Sequence, residues 1–276
     1  MEIQSLTLKE VQTGSLEVLK MIDKICKEQC LRYYLAYGTL LGAIRHRGFI
    51  PWDDDIDIMM PRPDYEKFIQ YFEVNKMNLT PFQLFDYRID PNYPYMIARV
   101  SDSRYTLDVS NEKDYGLGLF VDIYPLDGAG NTEEEFTRLK KQANPYASMC
   151  FVSTRQTVKR ENTKSFAKYL IKFPAFIVAK ILGKNFFMKK LEKLGQTYTY
   201  DESKYVGVIV WASDDGIKTV YPKDWIGDGT DVEFEGQMFR APISWDKVLR
   251  RGFGNYMELP PEKDRIAHHF YDAYRK

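Results

Sequence analysis

Apolar residues recur at steps of three and four near the start of the chain, the spacing that places side chains on one face of a helix. Val11, Leu19 and Ile22 belong to this series, which predicts a helix over residues 7–31. An aromatic-rich run follows and predicts a strand that ends at Gly38. The chain is thus expected to open with one helix and one strand.

A short helix, a strand and another helix are predicted next. Thr39 can cap a helix that runs through Arg45, and the stretch Ile56 to Met60 reads as a strand. Asp64 can cap the following helix, which reaches Phe72.

Beyond residue 80, short strands give way to long helices and then to short strands again. This order predicts an α+β fold with a mixed sheet. We expect a catalytic core over 1–130, a helical insertion or subdomain over 131–200, and a C-terminal part over 201–276 that completes the core. The elements predicted here are strands at Phe82–Phe85, Tyr95–Val100, Thr106–Val109 and Leu119–Tyr124, helices over 132–153 and 164–198, a strand from Tyr205 to Trp211, a hairpin turning at Gly236 and a helix from Trp245 to Arg251.

Composition narrows the class of protein. The 276 residues include 39 basic and 39 acidic side chains, a balance that gives no general argument for nucleic-acid binding. Three cysteines do not form a disulfide framework in a chain of this length and indicate a reducing compartment. No signal peptide is visible, and the longest apolar stretch, from Phe173 to Leu182, is too short for a membrane span. We expect a soluble, cytoplasmic protein.

An acidic run precedes the strand at Ile56. Because side chains alternate faces along a strand, Asp53, Asp55 and Asp57 would share one face if the strand begins that early. Neighbouring carboxylates repel each other unless a cation lies between them, and Mg²⁺ is often held by one or two carboxylates plus substrate phosphates. We therefore predict that Asp55 and Asp57 bind a metal. The alternative is a solvated acidic turn after Pro51.

Asp122 is a charged residue inside an apolar strand. A buried, unpaired carboxylate costs several kcal/mol, so Asp122 needs a partner. One interpretation is an arginine or lysine partner. The other places Asp122 on a neighbouring strand, as a third carboxylate beside Asp55 and Asp57, which would suit a two-metal phosphoryl-transfer site.

Gly38 and Thr39 stand between a predicted strand and a predicted helix. A helix N-terminus offers free backbone N–H groups to phosphate, and glycine allows the phosphate to approach the backbone. Arg45, His46 and Arg47 add positive charge nearby and could contact phosphate or simply be solvated.

These residues carry a family likeness. The stretch from Tyr37 to Ile58 closely resembles the signature of the LicD family, bacterial phosphocholine transferases with a nucleotidyltransferase-like fold that are related to the fukutin group. Asp122 resembles the family's third acidic position. The segment from Phe253 to Lys263, with His268 and His269 after it, resembles the family's ending.

The resemblance implies Mg²⁺- or Mn²⁺-dependent transfer of phosphocholine from CDP-choline to a sugar hydroxyl on a teichoic acid or another surface glycan precursor. It implies that Gly38 and Thr39 hold phosphate and that Asp55 and Asp57 bind metal. It further implies that Asp122 binds metal and helps to deprotonate the acceptor hydroxyl. The alternatives are transfer of a nucleotide, phosphoethanolamine or a polyol phosphate, or a non-catalytic, membrane-associated glycan-binding protein.

Several other residues are candidates for substrate contacts. Choline is a quaternary ammonium that aromatic faces attract, so an aromatic cage is expected, although the sequence does not show which rings form it. Arg45, His268 and His269 are candidates for phosphate or acid–base contacts. The aromatic candidates are Trp52, Tyr37, Trp211 and Trp225.

Lysines alternate with large apolar residues over residues 164–193. A basic amphipathic helix of this kind can lie on an anionic membrane surface, here the inner face, where it would meet a lipid-linked glycan acceptor. The alternative is a helix that packs on the core and leaves its lysines in water.

Overall fold

The centre of the fold is a mixed β-sheet, seen in a computed structural model that describes residues 5–157, 166–211, 216–266 and 271–276. In chain order the strands are β1 (Tyr34–Leu35), β2 (Asp57–Pro61), β3 (Phe82–Phe85), β4 (Ala98–Asp102), β5 (Tyr105–Val109), β6 (Leu119–Gly128), β7 (Tyr205–Gly207), β8 (Val220–Pro222), β9 (Thr230–Phe234), β10 (Gln237–Ala241) and β11 (Tyr271–Arg275).

The main sheet has the order β1-β2-β6-β4-β3, and β7 joins β6 to β8. β2 and β6 are parallel, whereas β1, β4, β3 and β7 pair with their neighbours in the antiparallel sense. The pairs β9–β10 and β5–β11 are separate antiparallel ribbons. The predicted α+β fold with a mixed sheet is confirmed.

Helices cover the sheet and form a cluster of their own. In chain order they are α1 (Leu8–Glu28), α2 (Tyr37–His46), α3 (Arg62–Asn75), α4 (Glu133–Thr154), α5 (Phe166–Leu182), α6 (Lys184–Gly195), α7 (Lys223–Ile226) and α8 (Trp245–Phe253).

α1 begins at a capping box, which gives two backbone N–H groups at the helix start their hydrogen-bond partners. The Thr7 hydroxyl accepts from the Glu10 N–H, and the Glu10 carboxylate accepts from the Thr7 N–H. The apolar face of α1 packs on β6, and a Cβ at Gly14 would lie 2.2 Å from the Leu119 side chain. Gly14 therefore allows α1 to approach β6 closely. Because Leu119 and Asp122 point to opposite faces of β6, α1 covers the face opposite the acidic residues.

The hairpin of β9 and β10 forms as predicted. Glu235 and Gly236 take positive φ values of 48° and 73°, as a two-residue turn between twisted strands requires. Phe234 is buried against Phe49, with ring centroids 4.9 Å apart. The hairpin is thereby joined to the segment that leads into the acidic run.

Two predicted helix caps are wrong. α2 begins at Tyr37 after the extended residue Ala36, so Thr39 lies inside the first turn. α3 begins at Arg62, and the Asp64 carboxylate accepts a 2.6 Å hydrogen bond from Arg32 Nε instead of capping the helix. In both cases a tertiary contact uses the side chain.

The single helix predicted over 164–198 is also wrong. Gly183 separates α5 from α6 with a φ of 72°, a positive value that favours glycine and ends the first helix. Residues 164 and 165 lie outside the described residues. The strand predicted from Tyr205 to Trp211 stops at Gly207.

α4 and α6 surround a second apolar cluster that includes Phe136, Leu139, Phe187 and Leu191. The division into core, helical insertion and C-terminal part stays a prediction. Within the residues described, no helix has both the length and the apolar character needed to cross a membrane.

Candidate active site

Parallel pairing of β2 and β6 places Asp57 directly opposite Asp122. Both side chains are buried, and the Asp122 N–H donates to the Ile56 carbonyl at 2.9 Å, which fixes the register. Asp55 lies two residues before Asp57, and the strand itself begins only at Asp57. Asp55, Asp57 and Asp122 thus converge from two segments about 65 residues apart in the sequence.

The electrostatics of this acidic cluster favour a cation. Burial, together with the neighbouring charges of Asp53, Asp122 and Asp54, raises the pKa of Asp55 to about 8. Burial and then the charges of Asp55 and Asp122 raise the pKa of Asp57 well above its usual range. Without a cation, these carboxyls therefore resist being ionised together.

Asp122 has the basic partner that its burial requires. Arg99, opposite it on β4, donates from Nε at 2.5 Å and from Nη2 at 3.3 Å. The Arg99 guanidinium lies between the rings of Tyr95 and Phe120, each 4.1 Å from its centroid. Asp122 thus has an arginine partner and also lies beside Asp55 and Asp57, so the two interpretations of this residue do not exclude each other.

Arg99 is a residue that the sequence reasoning missed. It stands in the run Tyr95 to Val100, a predicted strand that is otherwise aromatic and aliphatic. The argument that singled out Asp122, a charge inside an apolar strand, applies equally to Arg99. Pairing the two would have predicted that β4 and β6 are neighbours.

Thr39 connects α2 to the acidic strand. Its hydroxyl accepts a 2.8 Å hydrogen bond from the Asp57 N–H, so the helix fixes the backbone of a candidate ligand. A Cβ at Gly38 would lie 2.8 Å from Asp53 Oδ2, so the glycine lets this carboxylate approach the start of α2. A carboxylate there is favoured by the helix dipole, and it lies where phosphate binding was predicted.

Arg45 is used to hold the C-terminal segment. Its Nη1 donates to the carbonyl of Tyr256 at 2.8 Å, and its Nε donates to His46 at 2.9 Å. Trp52 is half-buried, with the Arg265 guanidinium 6.0 Å from its ring centroid. Their roles in substrate binding stay predictions. His268 and His269 lie outside the described residues.

A C-terminal strand also reaches the acidic run, which the sequence reasoning did not predict. Tyr271 on β11 is hydrogen-bonded to the buried Asp54. Burial and the Asp54 charge raise the pKa of Tyr271 well above its usual range. Asp54 is thus part of the packing, whereas Asp55 and Asp57 belong to the acidic cluster.

The residues present fit a hard divalent cation. Asp55 and Asp57 offer the oxygen ligands that Mg²⁺ prefers, in a place where positive charge is needed. As they stand, no three His, Cys, Asp or Glu side chains among the described residues are grouped closely enough to hold a metal. A site of two carboxylates completed by substrate phosphate matches this arrangement.

The family of the chain follows from comparisons with known proteins. Residues 30–175 match the model of the LicD/FKTN/FKRP nucleotidyltransferase domain. The chain belongs to the LicD family. The resemblance noted in the sequence is confirmed, and the matched region contains the acidic run, Arg99 and Asp122.

A full-length relative supports the same assignment. The chain is 30% identical to the lipopolysaccharide cholinephosphotransferase LicD of Haemophilus influenzae, over 99% of both chains. An uncharacterized protein of Rickettsia typhi is 33% identical over 40% of this chain and 33% of its own length. Membership of this transferase family makes the chain an enzyme.

Proposed function

We propose that this LicD-family protein transfers phosphocholine from CDP-choline to a sugar hydroxyl of lipopolysaccharide, teichoic acid or another surface glycan precursor. The observation that carries the proposal is the parallel pairing of Asp57 with Asp122, which builds a buried acidic cluster around Asp55. Full-length similarity to a cholinephosphotransferase supports the choice of phosphocholine over other groups.

In the proposed reaction, the acceptor hydroxyl oxygen attacks the choline-bearing phosphorus. The bond from that phosphorus to the bridging oxygen breaks, and CMP leaves. Asp55 and Asp57 would hold Mg²⁺, which neutralises charge on the phosphate oxygens when it is bound. Asp122 would accept the hydroxyl proton, because Arg99 fixes its carboxylate beside Asp57.

The test is a panel of donors incubated with Mg²⁺ and a glycan acceptor. CDP-choline, CDP-ethanolamine, CDP-ribitol and nucleoside triphosphates are compared by chromatography of the nucleotide products. We expect CMP from CDP-choline and none of it after addition of EDTA. Release of pyrophosphate with nucleotide incorporation would contradict the proposal, and so would CMP only from another CDP donor. No turnover from any donor would also contradict it.

We also propose that α5 and α6 contact an anionic membrane. Ile177, Val178, Ile181, Leu182 and Phe186 are exposed around the turn between the two helices. Exposed lysines follow on α6, among them Lys189 and Lys190. Apolar side chains beside lysines are typical of helices that lie on anionic lipid.

Vesicle sedimentation tests this contact. Ile181→Glu should reduce binding to vesicles that contain anionic lipid. Val74→Glu is the matched control, because Val74 and Ile181 are both 77% exposed and Val74 lies on α3. Equal binding by both variants and the unchanged protein would contradict a role for this surface.

A further inference from the structure

Four aromatic rings form a continuous chain beside the acidic cluster. Tyr37 contacts Tyr124 with centroids 5.1 Å apart, and Tyr124 contacts Trp211 at 5.7 Å. Trp211 in turn lies 6.4 Å from Tyr95. The planes of Tyr124 and Trp211 meet at 88°, so the two rings can form adjacent walls of one site.

A cavity of about 320 Å³ opens beside two of these rings, Tyr95 and Trp211. The rest of its lining comes largely from α4, which supplies Phe151, and is completed by residues that include Met96 and Leu191 of α6. No charged side chain is among the lining residues that the structure describes. Such a lining suits methyl groups, and aromatic faces make it suitable for a weakly hydrated cation.

The position of Tyr124 relates this aromatic region to the acidic cluster. Tyr124 follows Asp122 by two residues on β6, so both point to the same face, about 7 Å apart along the strand. Asp57 lies opposite Asp122 on the neighbouring strand β2, so the acidic cluster and the Tyr124 ring belong to the same part of the sheet. Choline phosphate has only two carbons between its ester oxygen and its nitrogen, so the phosphate and the ammonium must bind near each other.

We propose that Tyr124, Trp211 and Tyr95 form the binding site for the quaternary ammonium of the donor's choline group, beside this cavity. The assignment rests on the proposed function and names the residues that recognise its headgroup. In this arrangement the donor's phosphate binds at Asp55 and Asp57, and its trimethylammonium group binds at Tyr124, two residues after Asp122 on β6.

Trp211 fits this role better than Trp52 or Trp225. Arg265 lies over the Trp52 ring at 6.0 Å, and Lys247 lies over the Trp225 ring at 5.7 Å. Trp211 has aromatic neighbours and, among the described residues, no protein cation over its ring.

Tyr95 contributes even though Arg99 occupies one of its faces. The charge of Arg99 is balanced by Asp122, to which it is hydrogen-bonded through two nitrogens. The Tyr95 hydroxyl donates to the buried carboxylate of Glu112, which enriches the ring in electron density. The ring remains attractive to a second cation on its other face.

Calorimetric binding of choline phosphate tests the site independently of turnover. The comparison ligand is 3,3-dimethylbutyl phosphate, in which carbon replaces the ammonium nitrogen, because it keeps the shape and the phosphate and lacks only the positive charge. The unchanged protein should bind choline phosphate about tenfold more tightly than this analogue. Trp211→Leu should remove that preference and leave CMP binding unchanged, while Trp211→Phe should retain part of it.

Trp245→Leu is the control for loss of a half-buried indole, and circular dichroism checks that each variant folds. If Trp211→Leu weakens both ligands equally, or neither, the site is wrong. If phosphocholine is transferred but the preference is independent of Trp211, the proposed function stands and this site fails. If no phosphocholine is transferred but the Trp211-dependent preference is present, the proposed function fails and the site stands.

Discussion

At the residue scale, the acidic cluster holds more negative charge than Arg99 can neutralise. Asp55, Asp57 and Asp122 lie together, and Arg99 is hydrogen-bonded to Asp122. Burial of like charges destabilises the fold, and a cation would remove this penalty. We therefore expect the cluster to lower the stability of the protein without a cation, and we expect binding of the cation and phosphate to restore it.

The first prediction concerns Asp57→Asn. Asparagine keeps the shape and removes a charge, so the Tm in EDTA should rise, and the increase in Tm caused by Mg²⁺ in the unchanged protein should disappear. Differential scanning calorimetry with and without Mg²⁺ measures both effects. Asp102→Asn is the control, since this buried aspartate is paired with Arg104; it should lower the Tm and keep the Mg²⁺ response. A lower Tm with an intact Mg²⁺ response in Asp57→Asn would contradict the interpretation.

The second prediction concerns the Arg99–Asp122 pair. Arg99→Met leaves a buried carboxylate without its partner and should lower the free energy of unfolding by about 3–5 kcal/mol. Adding Asp122→Asn to Arg99→Met should recover much of this loss, because no unpaired charge remains. Urea unfolding of the single and double variants gives the coupling. Additive losses would show that the pair does not act as a unit.

Single residues show why the site was only partly predictable. The charge of Asp122 inside an apolar strand demanded a partner, and this local argument held. The identity of the partner depended on β4 lying beside β6, a pairing between segments that no local pattern specifies. Thr39 was predicted to cap a helix and instead accepts from the Asp57 N–H on β2, 18 residues further along the chain, a contact that no local pattern specifies either.

At the scale of elements, α4 and the segment after β7 determine where Trp211 lies. The buried Lys140 on α4 donates to the carbonyls of Val208 at 2.9 Å and Trp211 at 3.1 Å. Burial lowers the pKa of Lys140 to about 8. A lysine thus holds the backbone of the proposed aromatic site.

The third prediction is a pH dependence that originates at Lys140. Because folding lowers the lysine pKa from about 10.5 to about 8, the unfolded chain binds more protons between these values, and stability rises with pH. The difference in unfolding free energy between the unchanged protein and Lys140→Met should shift by about 1 kcal/mol in favour of the unchanged protein from pH 8 to pH 9. Urea unfolding of both proteins measures it, and a constant difference would contradict the assignment.

Elements were predicted well where local chemistry decides them. The capping box places the start of α1, and the glycine turn places the hairpin. The break at Gly183 was missed because one glycine inside an amphipathic stretch is compatible with a continuous helix. β11 was missed because Tyr271 to Arg275 gains its strand geometry from pairing with β5.

At the scale of the whole molecule, the site is assembled from distant parts of the chain. The family model covers residues 30–175, yet Trp211 and Tyr271 come from later segments and reach the same region. The similarity to the H. influenzae relative extends over these later segments as well, since it covers 99% of both chains. The activity is therefore expected to need the C-terminal part as well as the acidic core.

The central claim is that the acidic cluster transfers phosphocholine to a glycan. The most direct measurement follows isotope-labelled phosphocholine from CDP-choline onto lipopolysaccharide that lacks it, by mass spectrometry, with unchanged protein and with Asp57→Asn. We expect label on the glycan only with the unchanged protein and Mg²⁺, and at least a thousandfold less with Asp57→Asn, a loss of about 4 kcal/mol of transition-state stabilisation. Equal labelling by Asp57→Asn would contradict the claim.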